Sequence, residues 1–354
     1  MGTDIQVFTT VFGHGLLEEL KDIAAPPVLL VTMMDIFEMM GQKIDPDNLF
    51  VPYFVKSLEA DVLKKDLEAL EATANGKIRT IIGFGGGQAL DVAKWFSWSL
   101  GGTALYQVPT ALTVDAPYGH RAAIRYDGVV RYVGFATPQC VFIDYDTIRS
   151  APLKLNLSGV ADVLCYHTAH ADWALATKEG KHGKWPYDEE KVKEARAVLD
   201  RLLVYIEDCR DMTERGVMEL TKAFQYGGGA FFSYGWNPRP LEGFDHLFFY
   251  ALEHRTGKHF IHGYPVALGI YLGSKLQNNR PDFVLDVLLK CGIDIRPEAM
   301  GVTWQEVVET LENLADFVEE NDYMFTIASI QTSYSKEWLN ETKNELYNTF
   351  KQLD

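Results

Sequence analysis

Three consecutive glycines, Gly85, Gly86 and Gly87, follow Gly83 and Phe84 at the end of a β-branched run and precede an apolar-faced helical segment. With no Cβ atoms in the turn, backbone N–H groups can approach a ligand closely. The helix N-terminus adds unpaired N–H groups and the positive end of its dipole, so this turn has the chemistry of a pyrophosphate cradle. A second polar set, Thr110, Thr113 and Asp115, follows the run 104–108. That is the carboxyl end of a strand, where open α/β sheets bind ligands. Farther on, Ser158 reads as a helix N-cap and Asp162 as an acid in the first turn. Such an acid either complements the helix dipole or does chemistry, and its position alone does not choose. His246, His254, His259 and His262 are imidazoles whose use is equally open at this level.

The elements that must position these residues follow from periodicity. Val28 to Thr32 reads as a first buried strand and Leu49 to Val51 as a second. An amphipathic helix over about Leu58 to Ala74 leads to a third strand at Ile78 to Ile82 and a fourth at Ala104 to Val108. Strands alternating with helices at this spacing imply βαβ units and a parallel sheet. Ala122–Tyr126 and Val129–Gly134 flank Asp127-Gly128, a two-residue hairpin turn, and Cys140–Asp144 returns as the last strand. Beyond Ala151-Pro152 nearly every segment reads as helix, with a polar loop at Lys178 to Tyr187. The fold class expected is an α/β N-terminal domain with a parallel, Rossmann-like sheet, residues 1–152, followed by an all-α domain, residues 153–354. The ligand site belongs in the cleft between them, where small-molecule sites preferentially lie.

Composition bounds the function classes. A chain of 354 residues is long enough for two cores. Its formal net charge of −16 argues against nucleic acid or an anionic membrane as partner. No apolar run reaches the ~18 residues of a spanning helix, and the segment MGTDIQVF has no signal-peptide character. Cys140, Cys165, Cys209 and Cys291 are scattered without metal-binding spacing, which suits reduced, buried thiols in a cytoplasmic protein.

The stretch Gly83 to Lys94, GFGGGQALDVAK, resembles the G-x-G-G-G-x-x-x-D-x-A-K signature of the iron-containing alcohol dehydrogenase and glycerol dehydrogenase superfamily. That superfamily includes glycerol-1-phosphate dehydrogenases and, more distantly, dehydroquinate synthases. Val108 to Pro117 resembles its V-P-T-x-x-S-x-D-A-P segment, with Thr113 in place of Ser, and His120 stands where a small residue is common. Ser158 to Ala176 resembles the S-G-x-x-D helix that continues into T-A-x-x-D-W-x-L-A. Asn237 to Phe248 resembles S-S-R-P-x-S-G-S-E-H-x-F, and His262 to Gly269 resembles H-G-E-x-V-A-x-G. Two departures stand out: Tyr264-Pro265 replaces a Glu and a polar residue, and Glu242 replaces a small hydroxyl residue.

The resemblance implies roles residue by residue. Gly85, Gly86, Gly87, Asp91, Lys94, Thr110 and Thr113 bind NAD or NADP; Asp162, His246 and His262 hold one divalent metal, with zinc preferred over iron or nickel; Asp115 orients the substrate. His262 is taken over His259 because Gly263 follows it and the family motif begins there. The implied activity is that of a metal-dependent NAD(P)-linked polyol dehydrogenase, an oxidoreductase acting on CH–OH groups. Its substrate pair would be glycerol and dihydroxyacetone, or glycerol-1-phosphate and dihydroxyacetone phosphate. A sugar-phosphate cyclase of the dehydroquinate synthase type and a non-catalytic NAD-binding protein are the alternatives. No acid ends the first strand, where Val31-Thr32 is followed by Met33-Met34 before Asp35, so NAD with tolerance of NADP is expected. A homo-oligomer without nucleic-acid or membrane partners completes the expectation.

Overall fold

The computed structural model describes residues 9–73, 77–233 and 236–353. The chain divides into two compact units: Met1–Leu153 with Gly228–Ser233, and Lys154–Gly227 with Tyr234–Asp354.

The first unit is built on a six-stranded parallel sheet in the order β1-β8-β5-β4-β2-β3. Its strands are β1 (Thr10–Gly13), β2 (Val28–Thr32), β3 (Val51–Phe54), β4 (Thr80–Gly85), β5 (Ala104–Pro109) and β8 (Cys140–Asp144). β6 (Ala122–Tyr126) and β7 (Val129–Val133) form a separate antiparallel hairpin. Its turn has φ of 53° at Asp127 and 78° at Gly128, the left-handed pair that a tight hairpin needs. Every residue of β2, β4 and β8 is buried. This is why those segments read as unbroken apolar runs rather than alternating ones.

The side chains nevertheless alternate between two cores. Leu29, Val31 and Ile81 face one cluster with Ala89, Val92 and Phe96, while Leu30, Ile82 and Phe84 face another with Leu16 and Val108. Helix α1 (Met34–Ile44) follows β2, α2 (Ala60–Thr73) follows β3, and α3 (Gly87–Ser99) follows β4. The glycine turn therefore sits at the carboxyl end of a strand with β2 on one side and β5 on the other.

Sequence periodicity missed β1, a four-residue strand of half-buried residues that is defined by pairing with β8. The strand expected at Leu49 to Val51 begins instead at Val51, and the helix expected from Leu58 begins at Ala60. Ala74, its expected end, and the segment MGTDIQVF lie outside the described residues.

The second unit is helical. Around the site it comprises α4 (Leu153–Val163), α5 (Ala169–Lys178), α6 (Phe244–Thr256) and α7 (Gly263–Leu276), with α6 and α7 packed side by side. Helix α8 (Lys336–Phe350) is tied to α7 where Tyr271 Oη donates to the Thr342 carbonyl at 3.2 Å. All four cysteines are buried thiols. Burial pushes Cys209 and Cys291 up to about 12, which leaves them inert. Among the described residues no helix is long and apolar enough to cross a membrane.

Candidate metal centre and nucleotide cradle

In the first unit the glycine turn leads directly into α3. Gly86 is the N-cap of α3 and no side chain caps that terminus, so the first N–H groups of the helix keep capacity for an anion. A Cβ placed on Gly86 would meet nothing within 4 Å, so open space faces the turn. Gly85 has φ of +153°, a conformation L residues rarely adopt, and a Cβ there would lie 3.0 Å from that of Ala89. The Thr110 N–H donates to the Gly85 carbonyl at 3.0 Å, which ties the end of β5 to the turn. Gly85, Gly86, Gly87 and Thr110 are thus assembled around one bare helix N-terminus, a fit to a dinucleotide's pyrophosphate. Thr113 follows them, half-buried in the loop after β5.

Asp91 and Lys94 have another occupation. Lys94 is 2% exposed, and its ammonium meets Asp91 Oδ1 at 2.7 Å, the Gly119 carbonyl at 3.0 Å and the Arg121 carbonyl at 2.7 Å. An ammonium has three protons, and three acceptors take them. The pair pins α3 to the loop before β6. Arg121 likewise directs Nη1 at the Tyr132 carbonyl, 3.4 Å away. His120 stacks on Phe135 with ring centroids 4.6 Å apart, and burial lowers it to about 4. Asp115 packs on bare backbone, since a Cβ on Gly228 would lie 1.5 Å from its Oδ2.

In the second unit Asp162, His246 and His262 converge, with one ligating atom of each within 4.8 Å of the others. Asp162 Oδ1 lies 3.5 Å from His246 Nε2 and 3.3 Å from His262 Nε2. These separations exceed a good N–H···O bond, and that buried oxygen has no hydrogen-bond partner among the described residues. An orphaned buried carboxylate oxygen faced by two imidazole nitrogens is the arrangement a shared cation would satisfy. The residues fit a divalent metal. Burial alone would raise the Asp162 carboxyl, but the adjacent His262 and His246 outweigh it and hold the group below the usual carboxylate range. Burial works against charge on His246 too, yet the neighbouring carboxylates of Asp162 and Asp245 raise it well above the ordinary histidine range.

Local packing explains why these residues meet. Helix α4 begins at Leu153, so Ser158 is not its N-cap and Asp162 is in its last turn rather than its first. An acid there opposes the helix dipole, which removes the dipole reading and leaves a cation as its counterpart. Ser158 instead accepts the Gly263 N–H on Oγ at 2.8 Å. A Cβ on Gly263 would fall 1.9 Å from the Ser158 carbonyl oxygen, so only glycine lets α7 approach α4 closely enough. His262 caps α7 and carries Phe249 edge-on, with ring centroids 4.8 Å apart. Tyr264 and Pro265 occupy the first turn of that helix, where proline's missing N–H is tolerated. The competing imidazoles are elsewhere: the His259 side chain is 74% exposed beside Glu253, and His254 packs on Phe317.

Several partners went unrecognised in the sequence. Asp245 is fully buried; its Oδ1 meets His246 Nδ1 at 2.6 Å and accepts the His246 backbone N–H at 2.8 Å, while Thr168 donates to its Oδ2 at 2.9 Å. Asp172, raised to about 6 by burial, accepts the Phe244 N–H at the start of α6 and the Ile327 N–H, both at 2.8 Å. Adjacency to His246 was the signal for Asp245; for Asp172 it was the Asp-Trp of the segment Thr168 to Ala176. Arg239 is 2% exposed and donates to the Phe325 carbonyl at 2.6 Å and the Lys181 carbonyl at 3.3 Å. Glu242 is buried, and its charge is among those that raise His246.

The sequence model of the family described as iron-containing alcohol dehydrogenase matches residues 16–152. The chain is 27% identical over 299 residues, 84% of each chain, to a glycerol-1-phosphate dehydrogenase [NAD(P)+] from Thermofilum pendens. Its fold resembles a probable glycerol dehydrogenase from Sinorhizobium meliloti, with a TM-score of 0.71 at 17% identity over 97% of each chain. It also resembles glycerol dehydrogenase from Schizosaccharomyces pombe, with a TM-score of 0.69 at 18% identity over 99% of this chain and 92% of that one. The ordered motifs, the family match over residues 16–152 and the fold of these neighbours agree in likening the chain to iron-containing alcohol dehydrogenases and glycerol dehydrogenases.

Proposed function

We propose that this protein is an NAD(P)-dependent polyol dehydrogenase whose metal centre is Asp162, His246 and His262. The observation that carries the reading is the buried Asp162 Oδ1, facing two imidazole nitrogens at 3.5 and 3.3 Å with no hydrogen-bond partner among the described residues. The names of relatives support the class: the Thermofilum pendens protein is a dehydrogenase of a polyol phosphate that uses NAD(P)+. When bound, a divalent ion supplies Lewis acidity at the alcohol or ketone oxygen, and the nicotinamide supplies or takes up the hydride.

The chain's residues do the rest. Two imidazoles and one carboxylate leave a coordination position open to substrate, as a catalytic centre requires. The bare N-terminus of α3 holds the cofactor's pyrophosphate, and Gly85 with Gly86 lets it come close. Asp115, braced against Gly228, orients a second substrate hydroxyl.

Between the two substrate pairs, the arrangement favours unphosphorylated dihydroxyacetone and glycerol. Arg239 is committed to two carbonyls, and Glu242 adds negative charge beside His246 that a dianion must oppose. The phosphorylated pair is the second reading, favoured by the name of the Thermofilum pendens relative. The test is an NADH- and NADPH-linked assay of metal-stripped protein reloaded with zinc or ferrous iron, against dihydroxyacetone, glycerol and their phosphates. Turnover that depends on metal and is faster on dihydroxyacetone supports the proposal. Faster turnover of dihydroxyacetone phosphate selects the second reading, and no turnover with any metal refutes both.

A further inference from the structure

We propose that Asp245 is a positioning residue whose negative charge, delivered through His246 Nδ1, sets the affinity of the metal centre. The inference rests on the reading of Asp162, His246 and His262 as metal ligands. A neutral imidazole carries one N–H, and an imidazole that ligates through Nε2 must carry it on Nδ1. Asp245 Oδ1 lies 2.6 Å from His246 Nδ1, which fixes that tautomer and aims Nε2 toward Asp162 Oδ1, 3.5 Å away.

The carboxylate is itself held from several sides. Its Oδ1 also accepts the His246 backbone N–H at 2.8 Å, and its Oδ2 accepts from Thr168 Oγ1 at 2.9 Å. Asp245 is 0% exposed, so its charge is not screened by water. A buried carboxylate with no adjacent cation in this set is costly unless a positive charge lies behind the imidazole. Asp162 and Asp245, with Glu242 nearby, bring negative charge to the cluster that a divalent cation offsets with both histidines neutral. Carboxylate–imidazole–metal chains of this form raise ligand basicity, and losing the outer partner typically lowers metal affinity about 10–100-fold.

Asparagine separates a charge role from a packing role. Asp245→Asn keeps the shape, an acceptor for the His246 N–H groups and a contact for Thr168, and removes only the charge. The experiment strips the full-length protein with a chelator and measures zinc affinity by competition with a chromophoric chelator, for wild type, Asp245→Asn and Asp245→Glu. Thermal midpoint and NADH binding are measured alongside. The expected result is an Asp245→Asn protein with a wild-type melting point and NADH affinity and zinc affinity lowered about 10–100-fold. Asp245→Glu, which keeps the charge, should recover most of that loss. Zinc affinity of Asp245→Asn within about threefold of wild type would overturn the charge role even though the centre binds metal. Failure of the wild type to bind zinc or ferrous iron would instead remove the centre itself, and the inference with it.

Discussion

The glycine turn and the proposed metal centre would bind ligands in opposite ways. At residues 83–87 the groups offered to a ligand are backbone, and the sequence contributes by leaving side chains out. At Asp162, His246 and His262 the groups offered to a metal are side chains from three separate segments, and the sequence contributes by making those segments meet. A backbone site can be written in one contiguous stretch, because strand, turn and helix N-terminus are consecutive. A side-chain site depends on distant packing, here the contact of Gly263 with Ser158 across 105 residues of sequence.

The largest expected effect tests that separation. Replacing Asp162, His246 or His262 by alanine removes a proposed ligand, and turnover should fall by about 1000-fold or more, since the centre stabilises transition-state charge worth several kcal/mol. Bound metal should be lost while NADH binding persists. Gly85→Ala, at φ +153°, should do the reverse, losing NADH binding and keeping zinc. His259→Ala should keep both, because that ring is exposed beside Glu253. Metal analysis and NADH fluorescence titration on the same preparations decide the matter. A His259→Ala protein that loses metal, beside a His262→Ala protein that retains it, would reassign the ligand.

The same contrast explains what the sequence disclosed. The strand runs, the Asp127-Gly128 hairpin and the glycine turn depend on neighbours in sequence, so composition and spacing carried them. β1 was invisible because Thr10–Gly13 is short, half-buried and stabilised by pairing with β8, more than 120 residues on. Asp162 was misplaced in its helix because Ser158-Gly159 looks like a start signal, whereas that serine hydroxyl serves Gly263. The partners of Lys94, the carbonyls of Gly119 and Arg121, likewise lie beyond any local window.

Lys94 gives the next effect in size. If the pair with Asp91 is structural, Lys94→Ala leaves a nearly buried carboxylate without its cation, which typically costs about 3–5 kcal/mol. Chemical denaturation should show that loss, and NADH affinity per folded molecule should hold. The double variant Asp91→Leu with Lys94→Met should regain stability, as apolar replacements of buried pairs often do. A Lys94→Ala protein of unchanged stability and weakened NADH binding would return the lysine to the cofactor and blur the line between backbone and side-chain site.

Acid should act unequally as well. His120, 1% exposed and stacked on Phe135, is lowered from 6.5 to about 4, chiefly by burial. A histidine whose pKa is depressed on folding takes up its proton more readily when unfolded. Its contribution is therefore intact above about pH 6.5 and is lost as pH falls toward about 4, a change of up to about 3 kcal/mol. His120→Phe keeps the stack and removes the titration, so its acid-unfolding midpoint should move to lower pH. An unchanged midpoint would mean that carboxylates elsewhere set the acid limit.

The smallest effect concerns which nicotinamide the cradle accepts, and it shows what a site made of backbone cannot do. Under the proposed reading, bare N–H groups at α3 would bind pyrophosphate, which NAD and NADP share, so discrimination would have to come from side chains near the adenosine ribose. β2 ends at Thr32, and the next acid, Asp35, stands in the first turn of α1 with Oδ1 bonded to the Ile36 N–H at 2.9 Å. That carboxylate is turned onto its own helix, where it complements the dipole, rather than held for a ribose hydroxyl. The ratio of kcat/KM for NADH over NADPH should therefore stay below about 1000, the equivalent of about 4 kcal/mol. Asp35→Ala should change it by no more than severalfold. A larger ratio that collapses in Asp35→Ala would make this acid the ribose contact and give the backbone site a side-chain selector after all.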